Sequence, residues 1–346
     1  MRSVCVIGFC AIAVAAFDPS RAEAQLVFGT TTIPSTGNGA AFYMDVQTQA
    51  ITTLWNSAND KKVNGMAYDM ASGRFYCNDA ARLNFWDQGS IGIVPTFIAG
   101  MYRTNDNVAF TAAGVDGLAF ANGNLYCVTD AGSTVFKRGI YQVATTPDTL
   151  TPPHCVLTPV WLDPTGIGTS SGTIGLGGVE FNPDTNLFYI TQSFDTTGTG
   201  GNYVPGIYTI DAFGAGEAVH LVNFPPGADP LHVDGLAIGG GKLWLVEQVA
   251  AASVINIYPL DLTTLEYDAT ITAPLVDGTN RASGACWAPN ALVACKPGDM
   301  NNDGIVDGRD VNAYVRINTG GTGSSLEHCA ADTLAIEQFI ALLLPV

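Results

Sequence analysis

Four stretches of the chain share one pattern: VNGMAYDMASGRFYCND from Val63, VDGLAFANGNLYCVTD from Val115, LGGVEFNPDTNLFYITQ from Leu176 and VDGLAIGGGKLWLVEQ from Val233. A shorter ASGACWAPN from Ala282 begins it again. Each copy is an apolar strand, a turn of Gly, Asn or Asp, and a second strand rich in aromatic and β-branched residues, which is the grammar of a β-hairpin. A third strand follows, as in GIYQVAT or GIYTIDA, and then a fourth, as in AVHLVNF. Four antiparallel strands recurring at roughly 50 to 60 residues, with no amphipathic helix between them, are the sequence form of propeller blades. One such blade has no means of burying both faces alone, so neighbours must flank it on each side.

The copy at Ala282 stops after its first strand, and the missing strands stand at the other end of the chain. Residues 26–56, LVFGTTTIPSTGNGAAFYMDVQTQAITTLWN, align by type with residues 187–223. The segment near the N-terminus is therefore expected to supply three strands of the last blade, and the segment from Ala282 the innermost one. The fold class expected is all-β, a β-propeller of five blades over residues 25–294, with a small α-helical EF-hand-like domain over 295–346. Six blades is the main alternative, and a β-sandwich pair needs no period this regular.

Near its start the chain carries Arg2, an apolar run from about Val4 to Phe17, and Ala22-Glu23-Ala24 before Gln25. The run is shorter than the roughly 20 residues a bilayer requires, so residues 1–24 read as a secretory signal peptide cleaved after Ala24, with a secreted, extracellular product. No later stretch reaches spanning length. A net charge of −17 with only 13% charged residues argues against nucleic acid or an anionic membrane as partner, since either needs a basic face. Of the eight cysteines, Cys5 and Cys10 leave with the signal. Cys77, Cys127, Cys155 and Cys286 lie in strand contexts and are expected as buried thiols. Cys295 and Cys329 bracket an acidic segment and are expected to form a disulfide; no pair has zinc-ligand spacing.

That acidic segment is DMNNDGIVDGRD, residues 299–310. Calcium takes six to eight oxygens, and a twelve-residue loop wraps it when positions 1, 3, 5 and 12 turn side chains inward. Here these are Asp299, Asn301, Asp303 and Asp310, with the Ile305 carbonyl at position 7 and Asp307 at 9. Gly304 allows the sharp turn, and apolar Val306 suits the short β contact of such loops. Position 12 is aspartate in place of the usual glutamate. With the following VNAYV helix face, residues 298–315 resemble the calcium repeat of bacterial type I dockerins. The second repeat is degenerate: IEQFI matches the helix, while most of the loop after Asp332 is absent. The resemblance covers about fifty residues and implies calcium as cofactor and docking to a cohesin-like or other extracellular protein as partner. An extracellular-type site with a dissociation constant of roughly 0.1 to 1 mM would fill outside the cell.

Propeller sites usually lie where inner strands begin and second strands end. The residues before the inner-strand glycines are Asn64, Asp116, Gly177, Asp234 and Ser283, with His232 close by; second strands end in Asn78-Asp79, Thr129-Asp130, Gln192 and Glu247-Gln248. Asp116, Asp234 and Asn64 could be oxygen ligands at this polar mouth, but Asp-Gly and Asn-Gly steps also make tight turns through local hydrogen bonds. Glu180 is the odd residue, because the equivalent places hold Ala67, Ala119 and Ala237, and a carboxylate buried in an inner strand must be paired, metal-bound or neutral. Glu180, Asp116 and Asp234 are the catalytic candidates. The repeats are similar in their strand grammar to gluconolactonase-like propellers, a resemblance that implies a divalent ion held in the channel by acidic and amide side chains. Four histidines, His154, His220, His232 and His328, do not suggest a His-rich centre. GTSSG (168–172) lacks the strand-to-helix context of a nucleophile elbow, GLGG and GGGK read as strand turns, and GTGGNY (198–203) reads as an outer loop whose tyrosine could stack on sugars.

Two functions lead at this point, with a structural surface protein that takes no small ligand, its channel plugged by apolar side chains, as a third. One is an extracellular binding and interaction module with a calcium-binding tail. The other is a metal-dependent extracellular hydrolase, acting on lactones or in polysaccharide breakdown, with its site in the channel. Convergence of Glu180, Asp116 and Asp234 favours the hydrolase; their separate engagement favours the binder.

Overall fold

The computed structural model describes residues 25–32, 39–46, 48–57, 63–79, 82–87, 96–103, 115–129, 138–149, 152–163, 176–193, 203–214, 216, 218–248, 254–274, 280–288, 298, 300, 306–319 and 336–343. β1 (Gln25–Thr32), β2 (Gly39–Asp45) and β3 (Ile51–Ser57) come first, then β4 (Gly65–Asp69), β5 (Arg74–Asp79), β6 (Arg82–Asp87) and β7 (Thr96–Arg103). β8 (Leu118–Ala121), β9 (Asn124–Thr129), β10 (Gly139–Val143) and β11 (His154–Leu162) follow, and after them β12 (Leu176–Asn182), β13 (Leu187–Gln192), β14 (Gly206–Ile210) and β15 (Val219–Val222). β16 (Val233–Gly239), β17 (Lys242–Gln248), β18 (Val254–Asp261) and β19 (Ile271–Pro274) precede the lone β20 (Asn280–Trp287), and two short helices end the described chain, α1 (Val311–Asn318) and α2 (Ile336–Leu343). The fold is mostly β and propeller-like. Among the described residues no helix is long and apolar enough to cross a membrane.

The hairpins form where the turn chemistry demands. Asn122 and Gly123 join β8 to β9 with φ of 49° and 77°, and Gly240 and Gly241 join β16 to β17 with 61° and 76°. Both central residues are left-handed, the two-residue turn whose twist matches paired strands. GGGK is thus a strand turn as expected, whereas Leu176, Gly177 and Gly178 of GLGG lie within β12.

β20 pairs with β1, which pairs with β2, which pairs with β3. The two ends of the body therefore meet in one sheet, with Leu26 opposite Trp287 and Gly29 opposite Gly284. β12–β15 and β16–β19 form sheets of the same kind. The remaining eight strands depart from the repeat: β7 and β11, each the last strand of its unit, run parallel and pair, Cys155 opposite Met101. One eight-stranded sheet results, in the order β4-β5-β6-β7-β11-β10-β9-β8. The cause is the open edge, since an outermost strand presents a row of unpaired N–H and C=O groups and here two such rows satisfy each other.

The inner strands approach one another at glycines. A Cβ on Gly65 would lie 2.6 Å from the Leu118 nitrogen, one on Gly117 2.6 Å from the Val179 nitrogen, and one on Gly178 2.6 Å from the Asp234 carbonyl oxygen. On Gly235 it would lie 3.2 Å from the Ala285 Cβ, and on Gly284 2.9 Å from the Gly65 carbonyl carbon. These approaches run from β4 through β8, β12, β16 and β20 and back to β4. Apolar clusters fill the spaces between successive sheets. Phe28, Phe42 and Met44 pack with Trp244, Val246 and Ile257, Trp55 and Val27 with Phe75 and Trp86, and Tyr126 and Val128 with Val179 and Phe188.

Cys77, Cys127, Cys155 and Cys286 are buried free thiols, as expected. Burial pushes the Cys155 thiol up to about 12, and likewise raises those of Cys127 and Cys286 well above their ordinary value, so they act as protonated packing groups. α1 and α2 have a separate small core of Met300, Tyr314, Ile317 and Phe339, in which the Tyr314 and Phe339 rings stack at 3.8 Å. The expected signal peptide 1–24, both members of the expected Cys295–Cys329 disulfide, and GTSSG lie outside the described residues.

Candidate functional site

Antiparallel alternation brings the starts of the inner strands and the ends of the second strands to one end of the sheets. Asn78, at the end of β5, donates from Nδ2 to the Val115 carbonyl at 2.7 Å. This bond ties one four-strand unit to the inner strand of the next. Thr191 near the end of β13 accepts from the Gly178 amide at 2.6 Å. Gly177 leaves room for the neighbouring carboxylate, because a Cβ there would sit 2.7 Å from Asp234 Oδ1.

Glu247, buried at the end of β17, accepts from the Asp229 amide at 2.6 Å and from Asn256 Nδ2 at 3.0 Å. The Tyr258 hydroxyl donates to the same oxygen as Asn256, Oε2, while the Asp229 amide bonds Oε1. Burial first, and then that carboxylate, push the Tyr258 phenol well above its ordinary range, so it remains a donor. Asp229 in turn accepts from the Leu231 amide at 3.1 Å, capping a short 3-10 turn, Pro230–His232, and its second oxygen lies 2.8 Å from His232 Nδ1. Glu247 is thus a structural carboxylate whose two oxygens hold β17 and β18 to the turn before β16.

A second network was not foreseen. Arg138, just before β10, donates to Gln192 Oε1 at 2.7 Å, across to the next sheet. It lies 4.0 Å from Asp163, both side chains buried, and the Tyr203 hydroxyl donates to Asp163 at 3.2 Å. Tyr203 also packs edge-on against Tyr208. This corrects the expectation for GTGGNY: its tyrosine is a buried hydrogen-bonding residue and not a surface for sugars. The one local sign of Arg138 was a cation directly ahead of a third strand in a chain with only 14 Lys and Arg.

Of the predicted mouth ligands, Asn64 and Asp116 make backbone bonds, their amides donating to the Asn78 carbonyl at 2.9 Å and the Val128 carbonyl at 3.2 Å. Asp116, Asp234 and Ser283 all interact with neighbours. Among the described residues no three His, Cys, Asp or Glu side chains are placed to hold a metal.

Glu180 stands apart from these networks. It lies in β12, 8% exposed, and accepts from the Phe181 amide at 2.9 Å. Burial raises its pKa from 4.5 to about 8, against the smaller lowering by that amide. The carboxyl is therefore neutral near neutrality, one of the states open to a buried inner-strand acid. The pH consequence has a definite sign. Between about pH 4.5 and 8 the unfolded chain releases this proton and the folded chain keeps it, so Glu180 costs stability increasingly as pH rises, and the cost levels off above the folded value. Glu180→Gln is expected to remove that cost. The difference in unfolding free energy between parent and variant should grow across this window by at most about 1.4 kcal/mol per pH unit, measured by urea titration at several pH values. A difference independent of pH would show Glu180 to be ionised throughout.

In the acidic loop, Asp310 is fully buried directly before α1, accepting from the Met300 amide and the Asp307 amide, each at 2.8 Å. Its carboxylate thereby ties Met300 and Asp307 to the start of α1. Asp307 is held by Arg309, whose Nη2 lies 2.8 Å from Oδ2, and this hydrogen bond keeps its carboxyl below the usual range. Asp299, Asn301, Asp303 and Ile305 lie outside the described residues.

No protein-family model matches the chain, and no curated protein is similar to it. Solved structures similar to it include a chain of a nidogen/laminin complex, 11% identical with a TM-score of 0.43, the match covering 78% of this chain and 100% of that one. A protein of unknown function from Bacteroides caccae is 11% identical with a TM-score of 0.38, covering 77% and 98%. A putative 6-phosphogluconolactonase from Bacteroides fragilis is 12% identical with a TM-score of 0.34, covering 74% and 69%.

Proposed function

We infer that the chain is a secreted binding and interaction module: a five-bladed β-propeller over residues 25–294, followed by a dockerin-like calcium-binding module over 295–346. The observation that carries this reading is the mouth itself. Glu247, Gln192, Asn78 and Arg138 each bond another of these residues or a neighbouring strand or turn, which supports a rim built to hold its shape. Calcium would be held by Asp299, Asn301, Asp303, the Ile305 carbonyl, Asp307 and Asp310. The buried carboxylate of Asp310 supports this set, and Asp307 would have to exchange Arg309 for the ion. Filling the loop would neutralise its clustered carboxylates and order α1 against α2, presenting a surface to a cohesin-like or other extracellular partner. Calorimetric titration of the full chain with calcium is expected to give one site of roughly 0.1 to 1 mM. Asp303→Ala should abolish it; equal binding by the variant would remove the calcium assignment from residues 299–310.

Glu180 is the one feature that favours a second reading, a metal-dependent extracellular hydrolase of lactones or polysaccharide-derived material, with Asp116 and Asp234 as further site residues. A buried acid that titrates near neutrality suits general acid–base work. Lactone hydrolysis by the parent chain that disappears in a folded Glu180→Gln variant would replace the first reading with this one.

A further inference from the structure

The pairing of β7 with β11 makes a feature that the other sheets lack. With β4 against β8 at Gly65 and β7 hydrogen-bonded to β11, the eight-stranded sheet nearly closes on itself around a core of Leu83, Met101, Leu118, Tyr141 and Leu157. At the end opposite the polar mouth, where the β4–β5 and β8–β9 hairpins turn, this core opens into a cavity of about 380 Å³. Small closed β structures commonly hold one ligand at such a mouth, and ligand cavities run from roughly 300 to 1,000 Å³.

The lining decides the ligand class. Tyr76 and Phe120 border the cavity with nearly parallel rings, 6.2 Å between centroids and 3° between planes. Beside them Gln142 donates from Nε2 to Asn124 Oδ1 at 2.9 Å. This bond fixes both amides and leaves the Gln142 carbonyl oxygen as an acceptor. Asp69 adds a carboxylate that already accepts from the Ala71 amide at 3.0 Å and is thereby held in place. Thr146 adds an exposed hydroxyl at the entrance. Among the described residues no lysine, arginine or histidine lines the cavity; Arg74, bonded to the Tyr76 side chain, is paired with Asp87, and the chain carries −17 overall. An anion would meet the Asp69 carboxylate and would have to displace Asp87 from Arg74 to gain a cation. A purely apolar ligand would strip water from the amides and the carboxylate without replacing their hydrogen bonds. A ring with one C–H face and a rim of hydroxyls satisfies both halves: the face packs on the aromatic rings, and the hydroxyls bond the fixed amides and the carboxylate.

We propose that this cavity is a binding site for a neutral saccharide, one or two pyranose units in size, taken either as a free sugar or as the end of a glycan chain. The proposal deepens the reading of the body as a binding module and is independent of the calcium loop. The test is calorimetric titration of the full chain with neutral monosaccharides and disaccharides of glucose, galactose and N-acetylglucosamine, beside co-sedimentation with the corresponding polysaccharides. Binding in the range of about 1 mM is expected for a ligand of this size. Gln142→Ala removes one fixed amide and should weaken binding by about tenfold or more. Thr146→Trp fills the entrance from an exposed position and should abolish binding while the thermal melt stays that of the parent. Binding of free sugars identifies the free source, and binding of polysaccharide alone identifies the chain end; loss of either signal in both variants upholds the site. Absence of saturable binding in both arms, or equal binding by parent and Thr146→Trp, overturns it. The Asp303→Ala arm of the calcium titration reads residues 299–310, and the sugar titration does not depend on it, so the two failures are told apart.

Discussion

Gly65→Val is expected to prevent the body from reaching a cooperative native state. The Cβ of any larger residue would lie 2.6 Å from the Leu118 nitrogen and closer still to the Asp116 carbonyl oxygen. Both are backbone atoms, one in β8 and one just before it, with no rotamer by which to move aside. Ordinary overpacking costs about 1 to 3 kcal/mol because side chains shift; here the strand itself must move, and the β4 to β8 contact is one of those that bring the inner strands round to their starting point. A loss above about 5 kcal/mol, most of a typical domain's stability, is expected. Gly123→Ala is the matched control. Its Cβ would meet nothing within 4 Å, and only a φ of +77° disfavours it, so a cost of about 1 kcal/mol is expected. Circular dichroism melts of the two variants decide the matter. A Gly65→Val chain melting within about 4 °C of the parent would mean that the inner strands do not touch there.

A chain that starts at residue 58 is expected to lose the cooperative melt altogether. β1, β2 and β3 are three of the four strands in the sheet of β20, and β1 alone pairs both β2 and β20. Without them β20 is left with an open edge, Trp244 and Val246 lose Phe28 and Phe42, and Phe75 and Trp86 lose Trp55 and Val27. Phe28→Ala alone should cost about 3 to 5 kcal/mol, since Phe28 is fully buried and stacks on Phe42 at 5.5 Å. Addition of a peptide of residues 25–57 should restore near-ultraviolet dichroism to the shortened chain, because the missing strands carry their own register. An unaided, cooperative melt of the shortened chain would show the first three strands to be an appendage.

Both expectations trace back to residues that could be read directly. The alternation of apolar and polar residues around Asn122-Gly123 and Gly240-Gly241 marks hairpins whose turns need left-handed backbone, and the hairpins are there. The incomplete copy at Ala282, set against the surplus strands near Leu26, indicated their pairing, because a strand with two apolar faces and no partner is untenable. The strand contexts of Cys77, Cys127, Cys155 and Cys286 marked them as buried thiols. The position of Glu180 among alanines marked it as anomalous.

Other features had no local trace. Nothing in Thr96–Arg103 or His154–Leu162 specifies that β7 and β11 meet in parallel; their edges carry the same backbone groups as every outer strand, and the twist and spacing of the two units decide whether those edges come within hydrogen-bond reach. Glu247 and Gln192 were legible as polar residues at strand ends, but their roles depend on Tyr258, Asn256 and Arg138 arriving from other strands. The cavity beside Tyr76 and Phe120 depends on the same long-range closure. The sequence by itself determined what repeats within a few residues: strand period, turn backbone, the spacing of oxygens in 299–310 and the need for a partner strand. Only the tertiary structure decided which edges meet and which buried polar groups bond one another, because those outcomes turn on contacts between residues far apart in the chain, and neither period nor composition encodes them.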